Sequence, residues 1–286
     1  MSTEIPESVS IVIRNKNEGK VVESTLEMLK SQDYEGQIEY IVIDSGSTDC
    51  SIDIIKKFSP DVLHIIKPEE YIPGKILNWG MEKATNEWVV FLNSDATPVD
   101  NSWLRNLLKA GTENTNFGAA FCRQVCREDA WAAFKIDYDK CFGPERISDQ
   151  WEHFFSMVSS MTCKKVWTEH KFDEDLQYSE DEEWSRRLKK NGLEIVYAEN
   201  AQVIHSHNYT FKQTIKRSIG EMTASLQMGS DTKGSMNYFT SVLLSSIACW
   251  LKEIPSHFRY GKVFQIPRTL ITRYAQRYGK WKANNS

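Results

Sequence analysis

The sequence predicts an α/β protein: a mostly parallel central sheet flanked by helices, continued by a helical, basic C-terminal extension. Three observations carry this. Over the first 92 residues, apolar runs suited to buried strands alternate with segments of helical period. Polar residues stand at the carboxyl ends of those runs, where open α/β sheets bind ligands. Charge is segregated: residues 209–286 hold 12 Lys and Arg against 3 Asp and Glu, a balance of +9. The chain's net charge of −4 therefore leaves −13 on the remainder.

Residues 9–13 read as the first strand. Residues 20–31 read as a helix with Val22, Leu26 and Leu29 on one face. A strand over 38–44 and a helix over 51–58 flank the turn Asp44-Ser45-Gly46-Ser47-Thr48-Asp49. Residues 62–66 form a third strand, 76–84 a helix introduced by Pro73-Gly74, and 87–92 a fourth strand. Strands that alternate with helices imply right-handed parallel crossovers. A helix over 102–110 follows, then a less regular middle beginning with a strand at 119–122. Residues 180–190 form a helix stopped by Gly192. Two short strands, 193–197 and 201–205, precede helices over 212–228 and 238–253. Residues 266–282 are basic and aromatic. There is no internal repeat.

Composition narrows the class. At 286 residues, 41% hydrophobic and 26% charged, the chain can bury a substantial core as a soluble protein. Residues 1–9 are polar, contain Pro6, and are not expected to act as a signal peptide. The longest apolar stretch, 242–251, is broken by Ser245 and Ser246 and is too short to span a bilayer. Six cysteines lack metal-type spacing. Cys122 and Cys126 stand at helical spacing, but no second pair follows, so reduced thiols in a cytoplasmic protein are expected.

The strand ends carry the chemistry. Asp95 closes the apolar run 88–92 and its polar tail Asn93-Ser94. It can hold a hard divalent cation through oxygen, or simply form a turn before Pro98. Asp44 opens a sharp turn able to grip a ribose or base, or to cap the next helix through Ser47, Thr48 or Asp49. That turn lacks both the GxGxxG and the phosphate-loop spacings. His205 and His207 end a late apolar strand, and His205 is a candidate further ligand. Glu180-Asp181-Glu182-Glu183 opens a helix. The macrodipole favours one or two acids there, not four. Glu182 and Glu183 are spaced to pair with Arg186 and Arg187. Glu180 and Asp181 come too early for that, which makes Asp181 a candidate general base.

These pieces, in this order, resemble glycosyltransferase family 2 with the GT-A fold, over about residues 8–212. The resemblance rests on 10–18 (Ser-Ile-Val-Ile-Arg-Asn-Lys-Asn-Glu) and the Asp44–Asp49 turn. It also rests on Pro73-Gly74-Lys75 with Asn78 and Gly80, on 91–96, and on 180–184 with Arg187. Arg123-Gln124, 127–130, 156–160 and 205–210 are similar to the bacterial rhamnosyltransferase branch. The resemblance implies a catalytic domain over 1–210, with nucleotide-sugar binding in 8–112 and the acceptor part in 113–210. The helical extension is 211–286. It implies Asp181 as base and Asp95 with His205 as ligands of Mn2+ or Mg2+. Arg14, Asp44, Lys75, Asn78, Asn93, Asp95 and Arg123 would contact the nucleotide sugar, with Glu180 and His207 as secondary candidates. Asn93 stands where the family's DxD-type motif has its first Asp, so one carboxylate is kept. The implied reaction is inverting transfer of a sugar, rhamnose from dTDP-rhamnose or a sugar from a UDP donor. The acceptor would be a hydroxyl of a glycan or lipid-linked molecule in surface polysaccharide synthesis, such as O-antigen.

Competing readings fit less well. A glycosidase also uses two carboxylates but needs neither the Asp44 turn nor a cation at Asp95. A sugar nucleotidyltransferase would carry a Gly-rich basic loop after its first strand, where 14–19 has a single Gly. A non-catalytic binding module would not need Asp95, Asp181 and His205 together. The basic, aromatic tail, with Trp250, Phe258, Tyr260 and Phe264, suits an anionic membrane face at which the protein would sit peripherally. Packing on the catalytic domain or on a second subunit is the other use of such a tail. Nucleic acid is not expected, because no recognition fold accompanies the charge.

Overall fold

The computed structural model describes residues 5–144, 146–229, 234 and 236–286. In chain order the elements begin with β1 (Ser8–Asn15), α1 (Val22–Lys30), β2 (Gln37–Asp44), α2 (Ser51–Phe58) and β3 (Val62–Ile65). Then come α3 (Pro73–Lys83), β4 (Trp88–Asn93), β5 (Thr97–Pro98), α4 (Trp103–Thr112) and β6 (Phe117–Val125). The middle holds α5 (Ala132–Phe142), β7 (Ser159–Cys163), α6 (Lys164–Glu169), α7 (Glu180–Lys190) and β8 (Glu194–Ile204). Three long helices close the chain: α8 (Phe211–Gln227), α9 (Ser245–Arg259) and α10 (Ile266–Asn284).

These elements form two compact units. The first comprises Met1–Val125, Asp149–Leu176 and Glu180–His205. Its eight-stranded sheet has the order β3-β2-β1-β4-β7-β6-β8-β5. β1, β2, β3 and β4 are mutually parallel; β7 is antiparallel to both β4 and β6, and β8 is parallel to β6. Six of the eight strands therefore run the same way, with β7 and β5 reversed. Parallel strands buried on both faces read as apolar runs, and Val9, Ile11, Val12, Ile13, Ile41, Val42, Val89, Val90 and Leu92 are fully buried. Helices cover them with apolar stripes such as Val22, Leu26 and Leu29 of α1.

The middle of the chain is more regular than its sequence suggests. The strand expected at 119–122 extends over Phe117–Val125, and Cys122 lies on it, not on a helix. The two strands expected at 193–197 and 201–205 are one, β8. It reads as two because the β6–β8 register shifts between Cys122 and Arg123, which leaves extra residues of β8 unpaired.

The second unit comprises Cys126–Ser148, Gln177–Ser179 and Ser206–Ser286. In it α10 packs along α8, where a Cβ on Gly279 would lie 2.7 Å from Ser218 Cβ and 2.8 Å from Ile215 O. A buried ion network ties three helices: Arg273 of α10 pairs with Glu253 of α9 at 2.8 Å and with Asp137 of α5 at 2.7 Å. The helix expected over 238–253 opens as a π-helical turn, Phe239–Leu244, before α9. The basic segment 266–282 is helical throughout. All six cysteines are free thiols. Among the described residues no helix is long and apolar enough to cross a membrane.

Candidate active site

β1 lies between β2 and β4, so the chain leaves β1 in one direction and returns on its other side. That reversal opens a crevice at the carboxyl ends of the strands. Register fixes who meets there: Asn15 sits opposite Asp44, and Arg14 opposite Asn93. β7 starts at the same end, since Ser159 pairs with Leu92 and Asn93 N donates to Val158 O at 2.8 Å.

Asp95 and His205 meet because β5 pairs with the end of β8. The ladder is two residues long, Thr97 with Ile204 and Pro98 with Val203. Both side chains are buried, and Asp95 Oδ2 lies 3.5 Å from His205 Nε2. Gln124 of β6 holds the imidazole from behind. Its Nε2 donates to Ser156 Oγ at 2.8 Å, so its Oε1, 2.8 Å from His205 Nδ1, accepts the proton of that nitrogen. Nε2, the other ring nitrogen, then faces the Asp95 carboxylate. A carboxylate oxygen and an imidazole nitrogen, the ring held by an amide behind it, are ligand atoms that could hold a divalent cation. Two adjacent ligands on an octahedral ion at ~2.1 Å stand ~3 Å apart. The pair fits a divalent cation. His207 belongs to the second unit, where its ring stacks with that of Tyr209, centroids 5.2 Å apart.

Arg14 binds Asn93 with two donors: Nε and Nη2 lie 3.2 and 2.9 Å from Asn93 Oδ1. Its Nη1 lies 3.4 Å from Glu180 Oε1. Asn93 is thus a neutral acceptor beside a largely buried guanidinium.

The four acids of α7 separate into two kinds. Glu182 pairs with Arg186 at 3.1 Å and Glu183 with Arg187 at 2.8 Å, both one turn on. Glu180 faces Arg14. Asp181 forms no ion pair among the described residues. Its oxygens accept from backbone: Oδ1 from Glu182 N at 2.9 Å and Oδ2 from Met157 N at 3.5 Å. Desolvation, then the neighbouring Glu180 charge, push its carboxyl up to about 7 from 3.8, against the two backbone donors and Arg14. A carboxyl near neutrality at a crevice is equipped to take a proton.

Other expected contacts are placed differently. Asp44 is wholly buried. Its Oδ2 accepts from Asn15 Nδ2 and Ser47 Oγ, both at 2.6 Å, and its Oδ1 from Ser47 N at 2.7 Å. It organises the turn, in which Gly46 takes φ +71°. Asn78 is a clamp inside the fold. It donates to Phe172 O and Glu174 Oε1, and its Oδ1 accepts from Trp167 Nε1 and Phe172 N. No hydrogen-bonding capacity remains for a nucleotide. Lys75 is exposed on the first turn of α3. Arg123 lies 3.9 Å from Glu199, while its neighbour Gln124 reaches His205, as side chains that alternate along a strand require. Gln124, Asn15 and Ser156 belong to the motifs of the resemblance, but the sequence gives them no site role. Their signal is position, at strand ends that pairing brings together. A cavity of about 700 Å³ lined by Glu7, Asp33, Tyr34, Gln37 and Arg105 sits where β1 and β2 begin, the opposite end from Asp95.

The mixed sheet with its flanking helices has the GT-A fold. The chain belongs to glycosyl transferase family 2, whose pattern matches residues 10–170, more than half of it. It is an enzyme of that class. It is 26% identical to an O-antigen chain rhamnosyltransferase, WbaN, of Salmonella anatum, over 84% of this chain and 78% of that one. It is 25% identical to another, RfbN, of Salmonella typhimurium, over 95% and 88%. Among solved structures it resembles a mannosyltransferase of Pyrobaculum calidifontis in complex with GDP-Man and Mn2+. There the TM-score is 0.63 at 17% identity, over 97% of this chain and 85% of that one. Glucosyl-3-phosphoglycerate synthase of Mycobacterium tuberculosis, in complex with Mg2+ and UDP, gives 0.55 at 16% identity, over 80% and 83%.

Proposed function

We propose that the protein is an inverting, cation-dependent glycosyltransferase. It moves L-rhamnose from dTDP-rhamnose to a hydroxyl of a glycan or lipid-linked acceptor in surface polysaccharide synthesis. The observation that carries this reading is the crevice itself: a buried Asp95–His205 donor pair and a near-neutral Asp181 at one edge of one sheet. The choice of rhamnose is supported by the two O-antigen relatives. In this reading the catalytic part spans about residues 8–210, with the donor side in 8–112.

Asp95 and His205 would hold Mn2+ or Mg2+, and Gln124 would keep the imidazole lone pair turned toward the ion. When bound, the ion supplies Lewis-acid neutralisation of the departing nucleotide diphosphate. Arg14 adds a fixed positive charge beside Asn93. The Asp44 turn shapes the pocket for base and ribose, with Lys75 at its rim. Asp181 accepts the proton of the acceptor hydroxyl as the new C–O bond forms and the bond to the diphosphate breaks. Attack from the face opposite the leaving group inverts the anomeric carbon, so no covalent sugar–enzyme species is needed.

A thermal-shift panel tests this. dTDP and dTDP-rhamnose should raise Tm in Mn2+ or Mg2+ and much less in chelator, since ligand at 100 times Kd adds ~2.7 kcal/mol. A UDP-only response moves the donor to a UDP-sugar. No response to any nucleotide diphosphate with any ion overturns the reading.

A further inference from the structure

Helix α9 is built inside out. Its buried residues are polar: Ser246, Glu253 and His257 are 1%, 4% and 0% exposed. They are satisfied there, Glu253 by Arg273 and Lys140, His257 by Glu253 O and Thr269 Oγ1. Its outward stripe is apolar: Leu244, Ile247, Leu251 and Phe258 are 47%, 43%, 53% and 65% exposed. Their spacing of three, four and seven residues puts them on one side of a helix. An ordinary surface helix carries the reverse pattern. Just beyond it, Phe264 is wholly exposed, and exposed Lys252 and Arg259 stand along one flank of the stripe. Two aromatics of the same tail turn inward: Trp250 Nε1 donates to Ile266 O, and Tyr260 bonds Asp139.

We infer that the outward face of α9, with Phe264, docks on an anionic phospholipid bilayer. Charge selects the occupant. The second unit holds 16 Lys and Arg against 8 Asp and Glu, so a second copy of this face would meet like charge, whereas anionic headgroups complement it. The apolar side chains would enter the acyl boundary while Lys252 and Arg259 stay at headgroup level. Helix α9 has 15 residues and would lie in the surface without crossing it. The inference does not depend on the donor or the base, only on this helix.

Flotation of the full chain with phosphatidylcholine vesicles, with and without phosphatidylglycerol, tests it. Wild type should float with the anionic vesicles at physiological salt and far less with the neutral ones. Leu251→Glu with Phe258→Glu should weaken partitioning at least ~10-fold, with unchanged Tm and unchanged nucleotide-diphosphate binding. Lys252→Glu with Arg259→Glu should weaken it less and remove most of its salt dependence. Wild type that stays with the soluble fraction, or a Glu pair that floats as before, overturns the inference. So does a concentration-dependent dimer that the Glu pair dissolves without affecting vesicles, since the face is then a self-interface. If the Glu pair fails to fold, Leu251→Ser with Phe258→Ser replaces it under the same criteria.

Discussion

Asp44 ends β2 and Asp95 lies two residues past β4 in the same sheet, and their surroundings differ in kind. Asp44 is enclosed by amide and hydroxyl donors that satisfy both oxygens. Asp95 faces Nε2 of an imidazole whose other nitrogen is held by Gln124. A carboxylate enclosed by fixed donors is a structural fixture; one beside a held imidazole is placed to share a cation with it. Asp181 is a third case, met by two backbone N–H groups and a neighbouring negative charge, which lifts its proton affinity. The lesson is that position marks an acid as a candidate, and its partners separate a structural role from a proposed metal or base role.

The sharpest way to break this sorting is at the base. Asp181→Asn should lower kcat by ~10²–10⁴-fold with nucleotide-diphosphate affinity unchanged; near-normal turnover would remove Asp181 from the mechanism. Since the carboxyl must be ionised to accept a proton, wild-type kcat/KM should rise with pH and level off above about 7. The sign for stability is opposite. The folded carboxyl titrates above its unfolded value of 3.8, so its contribution is fully present below that and is lost as pH rises through about 7. In chelator, the Asn variant should gain Tm relative to wild type across that window.

The next largest effect falls on the cation. Gln124→Leu should weaken Mn2+ affinity by ~10–100-fold, measured by calorimetry without any turnover, because the imidazole loses its orienting partner. His205→Ala should weaken it at least as much. Asp44→Ala should instead act on folding. It leaves Ser47 N without its acceptor and takes the shortest of three acceptors from Asn15 Nδ2, at ~1–3 kcal/mol in urea unfolding. An unchanged midpoint would mean that the turn does not need its carboxylate. Smallest is Arg123→Ala, whose loose pair with a mostly exposed Glu199 should be worth under ~0.5 kcal/mol, with Mn2+ affinity unchanged.

Much of this fold is legible in the sequence. The four parallel strands and their helices follow from apolar runs and helical period, because buried parallel strands have no polar face to confuse them. The helix α7 and its Glu182–Arg186 and Glu183–Arg187 pairs follow from spacing. The reversed strand β7 does not, since Ser159, Ser160 and Thr162 are buried polar residues that hide a strand. β8 reads as two strands because a bulge interrupts its alternation. Site residues divide the same way. Asp95, His205 and Asp181 stand at element ends, where position alone marks them. Asn78 looks like a pocket residue but is fully bonded inside the fold. Gln124 was inseparable from Arg123 until strand pairing decided which of the two faces His205.

The two-residue ladder between Thr97-Pro98 and Val203-Ile204 has a consequence for how such sites arise and vanish. Asp95 precedes it by two residues and His205 follows it by one, so both candidate ligands are measured off a single short ruler at the rim of the sheet. One residue inserted at position 96 would leave every motif readable in the gene while turning the aspartate away from its imidazole. A relative could therefore keep all its signature letters and still hold no ion, and loop length between motif and ladder would be the better predictor of which relatives do.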